Sequence, residues 1–220
     1  MGRIISLDNV TAGYDGRPQI VDVNLDIDHR DFVGIIGPNG GGKTTLLRVI
    51  LKLLPTMRGE VKYWKAGSET NRLAIGYLPQ FSNIDRQFPI TVEETVMQGL
   101  ASRKGLFAKY NADHRRRAKE TLMRLELADL ADSPIKALSG GQLQRALIAR
   151  AIVGNPDILV FDEPNTYIDQ KSEMMVQRLI GELNSQCAIV MVSHDRSYIR
   201  QVANKVVEVD EKVTIRQAFC

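Results

Sequence analysis

"DFVGIIGPNGGGKTTLLRVILKLL", Asp31 to Leu54, decides the fold. Its first part, Phe32 to Ile36, is a continuous apolar run of the kind buried on both faces of a sheet. A glycine-rich loop follows, and apolar residues then recur at helical spacing from Lys43 until Pro55. Gly37, Pro38, Asn39, Gly40, Gly41, Gly42, Lys43 and Thr44 fit the pattern G-x-x-x-x-G-K-[ST]. Glycines let successive backbone N–H groups turn inward around anionic oxygens, and the following helix adds the positive end of its dipole. Lys43 is placed to reach β- and γ-phosphates, the Thr44 hydroxyl to ligate Mg²⁺, and Thr45 to lie on the α-phosphate side. Strand, loop and helix in this order predict a triphosphate site.

Three other apolar strands end in polar residues that suit such a site. "ILVFDEP" ends in Asp162 and Glu163. In a parallel sheet the C-terminal strand ends share one edge with the phosphate loop. Asp162 there can hold Mg²⁺, and Glu163 can polarise the water that attacks the γ-phosphorus. "VMVSHD" carries His194 to the same edge as a candidate γ-phosphate contact. "IGYLPQ" ends in Gln80, whose amide oxygen can bind Mg²⁺ or its water.

Outward from these motifs the chain divides into three stretches. Residues 3–30 hold two strand-like runs; in the second, Val21, Val23, Leu25 and Ile27 alternate with polar residues, as in a half-buried antiparallel strand. From Thr91 to Asn155 the patterning is helical. Thr91 and Glu94 form a capping box, and "ADHRRRAKETLMRLEL" is an amphipathic helix whose Arg115, Arg116 and Arg117 form either a basic patch or a solvated face. Strands and helices then alternate again, which implies a parallel sheet with right-handed crossovers. The expectation is an α/β core interrupted by a helical insertion.

Composition excludes several other classes. With 29 Lys+Arg against 26 Asp+Glu the net charge is +3, too mild for a dedicated nucleic-acid binder. Only two cysteines, Cys187 and Cys220, are present, so neither a disulfide framework nor a cysteine metal site is expected. No run reaches the roughly 18 apolar residues of a membrane helix, and the start lacks a signal-peptide run.

"LSGGQLQRALIARAI", from Leu138, adds a second anion-binding helix end. Ser139 and Gln142 form a capping box, while Gly140 and Gly141 bare the backbone. A single domain has little use for two phosphate-gripping helix ends unless they meet different nucleotides. With this stretch the chain resembles ABC-type ATPases, the nucleotide-binding subunits of transporters, over essentially all 220 residues. The resemblance rests on six motifs in order: "GPNGGGKT" as Walker A, Gln80 as the Q-loop, "LSGGQ" as the signature, "ILVFDE" as Walker B, "YIDQ" as the D-loop and His194 as the switch. Two departures are mild, Asn165 where the family usually has threonine after "DEP" and Ile168 where leucine is commoner.

The resemblance implies an α/β fold: a P-loop NTPase (RecA-like) core, an N-terminal antiparallel β subdomain and an inserted α-helical subdomain. It implies one ABC ATPase domain over 1–220, with 1–90 and 156–220 as nucleotide-binding core and about 91–155 as the helical, signature-bearing part. It further implies ATP and Mg²⁺ as cofactors, held in a head-to-tail homodimer. Ser139, Gly140, Gly141 and Gln142 then face the partner's γ-phosphate and Asp169 reports across the interface. Tyr14 matches the aromatic that stacks on adenine, Glu163 the base and His194 the γ-phosphate clamp. Membrane permease subunits, and through them an extracytoplasmic solute-binding protein, are the implied partners, with no nucleic acid. The implied location is peripheral, on the cytoplasmic face of the membrane, for a chain soluble when isolated. "IGYLPQ" followed by "FPITVEETVMQGL" is similar to importers of zinc, manganese or chelated iron. The alternative is a soluble ABC ATPase acting in translation or DNA repair, but such members carry paired domains or long coiled coils. A GTPase is disfavoured because no N-K-x-D element is present.

Overall fold

The computed structural model describes residues 2–80, 85–101, 108–164, 170–210 and 212–217. Two sheets share the work. In the first, β1 (Arg3–Tyr14) pairs antiparallel with β2 (Arg17–Asp28) and with β4 (Arg58–Lys65), and β5 (Ser68–Thr70) closes the order β2-β1-β4-β5. The second contains β3 (Phe32–Ile36), β6 (Ile75–Leu78), β7 (Ile158–Asp162), β8 (Ala188–Val192), β9 (Lys205–Asp210) and β10 (Lys212–Gln217). Its order is β10-β9-β3-β8-β7-β6, parallel throughout except for β10.

The central strands are buried at every position, as their unbroken apolar runs require. Alternate residues serve opposite cores, because side chains of a strand point to opposite faces. Val33, Ile35, Val160 and Val190 pack with the antiparallel sheet and with α1 (Lys43–Ile50). Phe32, Ile36, Phe161 and Met191 face the other side. That face is covered by α2 (Val92–Gln98), α3 (Ala112–Arg124), α4 (Gly140–Ile152), α5 (Gln170–Asn184) and α6 (Arg196–Val202). The fold is that of an α/β P-loop NTPase with an antiparallel sheet on one side and helices on the other.

Some local expectations change. Val21 is 45% exposed, because Asp22 adopts a φ of 50° and a bulge between Ile20 and Val23 resets the alternation. Helix α1 ends at Ile50, well before Pro55. Lys52 turns left-handed with φ 53°, the Leu53 and Leu54 amides donate to Arg48 O, and the Tyr63 hydroxyl donates to Ile50 O at 2.7 Å. The capping box at Thr91 and Glu94 forms with both hydrogen bonds. Arg116 pairs with Asp113 and Glu120, and Arg117 with Asp113, so two of the three arginines are engaged by carboxylates along α3. Strands β5 and β10 are additions to the sequence reading.

Close backbone contact fixes α4 against the sheet. A Cβ on Gly76, in β6, would lie 2.2 Å from Ala151 O and 2.6 Å from Leu159 Cδ2. Gly76→Ala is expected to destabilise the chain by about 2 kcal/mol, since backbone cannot yield as a flexible side chain can. A urea unfolding midpoint equal to the parent's would contradict this packing.

Candidate nucleotide site

The C-terminal ends of β3, β6, β7 and β8 open on one cavity of about 590 Å³. It is lined by Lys43, Thr44 and Thr45 of α1, by Asn39, Gly40 and Gly42 of the loop, and by Gln80, Asp162, Glu163 and His194 from the strand ends. Tyr14 and Gln19, flanking the β1–β2 turn, and Arg48 complete it.

The loop is built for an anion. Helix α1 starts after Gly42, at φ 103°, with no side-chain cap and no acidic residue in its first turn. Its first N–H groups are therefore left to a ligand. Lys43, only 7% exposed, donates to Gly37 O at 3.0 Å and to Pro38 O at 2.9 Å, which aligns the ammonium along the loop. Gly37 and Gly41 do not line the cavity. They are glycine for packing, because a Cβ would stand 2.0 Å and 2.7 Å respectively from Val209 O on β9. Val209 is thus the wall against which the loop bends.

The opposite side is acidic. Asp162 is 7% exposed, and burial followed by the neighbouring Glu163 charge raises its pKa, against the opposing pull of Lys43 and Arg48. Glu163 sits in a left-handed backbone conformation, φ 55°, with its amide bonded to Val192 O at 3.0 Å. Its carboxylate accepts from Gln80 Nε2 at 2.9 Å and meets His194 Nε2 at 2.5 Å. His194 is placed by its flanks. Ser193 N donates to Ile35 O, and the Asp195 carboxylate caps α6 through Ser197 N and Tyr198 N.

Oxygen donors from Thr44, Asp162 and Gln80 line this one cavity, with Asp162 buried and its charge under-compensated, a hard-oxygen set that fits Mg²⁺. An ion there would clamp phosphate oxygens and neutralise their charge.

Sequence reasoning placed Lys43, Thr44, Thr45, Asn39, Gly40, Gly42, Gln80, Asp162, Glu163, His194 and Tyr14 together, and they do converge. It missed Gln19 and Arg48. Arg48 lies four residues after Thr44, one helical turn on, and that spacing was the available signal. Arg48 Nη1 donates to the Tyr14 hydroxyl at 3.0 Å, with the guanidinium 6.0 Å from the ring centre. Nothing in the sequence links Gln19 to the loop.

Ser139, Gly140, Gly141 and Gln142 are not among the residues lining this cavity. They open α4, with the capping box complete: Gln142 N donates to Ser139 Oγ at 3.2 Å and Ser139 N to Gln142 Oε1 at 2.9 Å. Arg86 donates to Leu138 O at 2.5 Å, tying the segment after Gln80 to the residue before Ser139. Asp169, with Asn165 and Ile168, lies outside the described residues.

The family model described as "ABC transporter" matches residues 20–166. The chain is 37% identical over 210 residues to the high-affinity zinc uptake system ATP-binding protein ZnuC of Bacillus subtilis, covering 94% of this chain and 91% of that protein. It is 36% identical over 190 residues to the manganese transport system ATP-binding protein MntB of the same organism, covering 86% and 76%. Among solved structures, a dimeric ATP-binding cassette in a post-hydrolysis state bound to ADP and Pi superposes with a TM-score of 0.82 at 30% identity, covering 99% of this chain and 100% of that one.

Asp162→Asn should raise the thermal midpoint without nucleotide at pH 7 by about 2–4 °C, a size typical of relieving one unfavourable buried charge in a chain of this length. A carboxyl whose folded pKa is raised costs stability above that pKa and regains it as pH falls through it. The gap should therefore close on acidification, and scanning calorimetry across pH checks both signs.

Proposed function

The chain belongs to the ABC transporter family, and from that membership we propose that it powers an importer of metal ions, zinc or manganese, by hydrolysing Mg-ATP between two copies of itself. One observation carries the two-copy reading: the cavity brings together Lys43, Thr44, Asp162 and Glu163, yet the second anion-binding helix end, at Ser139, is not part of it. Each nucleotide would be held by the phosphate loop of one protomer and met by Ser139, Gly140, Gly141 and Gln142 of the other, with Asp169 near the seam. The dimeric cassette to which the chain is similar supports this arrangement.

The roles follow from chemistry. The uncapped amides of α1 and the Lys43 ammonium take up β- and γ-phosphate charge. Tyr14 offers a ring to the adenine, and Arg48 steadies that ring. Thr44, Asp162 and Gln80 would hold Mg²⁺. Glu163 orients the attacking water and takes its proton, and His194, now paired with Glu163, turns to the γ-phosphate. Residues 1–90 and 156–220 form the nucleotide-binding part in this reading. The helical stretch of about 91–155 docks on permease subunits, which in turn receive cargo from an extracytoplasmic binding protein. No helix among the described residues is long and apolar enough to cross a membrane, so the proposed seat on the cytoplasmic face depends on those subunits. Zinc or manganese as cargo is carried over from what the relatives' names state.

Three variants test the reading. Glu163→Gln should cut kcat by about 10²-fold or more while leaving ATP binding intact, and should accumulate an ATP-held dimer on gel filtration; a persistent monomer counts against the shared site. Lys43→Ala should abolish ATP binding in calorimetric titration. Ser139→Arg should keep binding and stop turnover, and normal turnover would remove the signature from the nucleotide's surroundings.

A further inference from the structure

Helix α4 carries a buried amide that the roles above do not use. Gln144 is 2% exposed, and its Nε2 donates to Pro164 O, the carbonyl that directly follows Glu163. We infer that Gln144 is a positioning residue for hydrolysis, fixing the Glu163–Pro164 turn so that the carboxylate stays aimed into the cavity. This rests on the reading of Glu163 as the base.

The turn has reason to need a clamp. Glu163 is a non-glycine residue at φ 55°, a conformation that L side chains rarely adopt and that persists where the surroundings enforce it. It also precedes proline, which pushes the preceding residue towards extended backbone. Proline has no N–H, so the two residues of the turn own one backbone donor between them, and that one is given to Val192 O. The Gln144 amide adds a second anchor, from a different element, on the far side of the strained residue. A buried amide is retained at a core position only when it is hydrogen-bonded, since an apolar side chain would be cheaper there.

The placement has a further effect. Gln144 lies one helical turn beyond Gly140, on the helix whose first turn is the second anion site. The hydrogen bond therefore ties that helix end to the base of the same chain. A shift of α4, imposed when Ser139 meets the partner's nucleotide, would be passed directly to Glu163.

Gln144→Leu and Gln144→Met keep the volume and remove the donor. In the full chain, steady-state ATPase assays and calorimetric ATP titrations should show kcat reduced by about 10- to 100-fold in both, the loss that a misaimed catalytic group gives, with KM and ATP affinity within two-fold of the parent. Turnover within three-fold of the parent in either folded variant overturns the inference. So does a loss of ATP affinity matching the loss of kcat, which would mean general damage to the site. Failure of both variants to fold would assign Gln144 to stability and overturn it as well. Glu163→Gln assayed beside them separates the two readings: if it retains turnover, the base assignment fails by itself, whereas a dead Glu163→Gln with active Gln144 variants sinks only the positioning role.

Discussion

The parallel hydrogen-bond ladder through β9, β3, β8, β7 and β6 is the constraint from which the rest follows. Parallel pairing sends every strand's C-terminal end to one edge, so the phosphate loop, Gln80, Asp162, Glu163 and His194 arrive together although they are scattered from residue 37 to residue 194. The pairing holds because the three central strands are apolar at nearly every position and are buried on both faces. Charge within the resulting cavity is arranged in opposition. Lys43, Arg48 and the bare start of α1 form one wall; Asp162 and Glu163 form the other. A phosphate chain with a divalent ion would satisfy both walls at once, because each would supply the charge that the facing wall lacks.

Much of this was legible in the sequence. Continuous apolar runs marked β3, β7 and β8, and polar residues at their ends marked the site, because burial and edge position both leave a compositional trace. Capping boxes at Thr91 and Ser139 were readable, since each needs only two side chains three residues apart. What stayed hidden was set by tertiary contact. Val21 faces outward because of a bulge at Asp22, and a bulge is one extra residue that simple alternation cannot reveal. Helix α1 stops at Ile50 because Lys52 turns left-handed while Tyr63 meets the last turn from another strand.

Among the site residues, Arg48 and Gln19 were missed for different reasons. Arg48 had a helical spacing from Thr44 that could have been used. Gln19 reaches the cavity only because the β1–β2 turn folds over the phosphate loop, where the Gln19 carbonyl would lie 3.0 Å from a Cβ on Gly42. The glycines themselves carried a mixed message. Gly40 and Gly42 line the cavity, as their motif implies, whereas Gly37 and Gly41 yield room to a strand. A motif can thus bring residues to a cavity while being silent about why some of its letters are there.

That strand has a bearing on when the protein comes to life. The phosphate loop is synthesised first, whereas the carbonyl it bends around belongs to Val209, 172 residues after Gly37 (209 − 37). A nascent chain would own the loop long before it owned the loop's backing. The loop's backing would then be complete only once β9 has been made, so a nascent chain that stops short of Val209 would carry the motif without its wall.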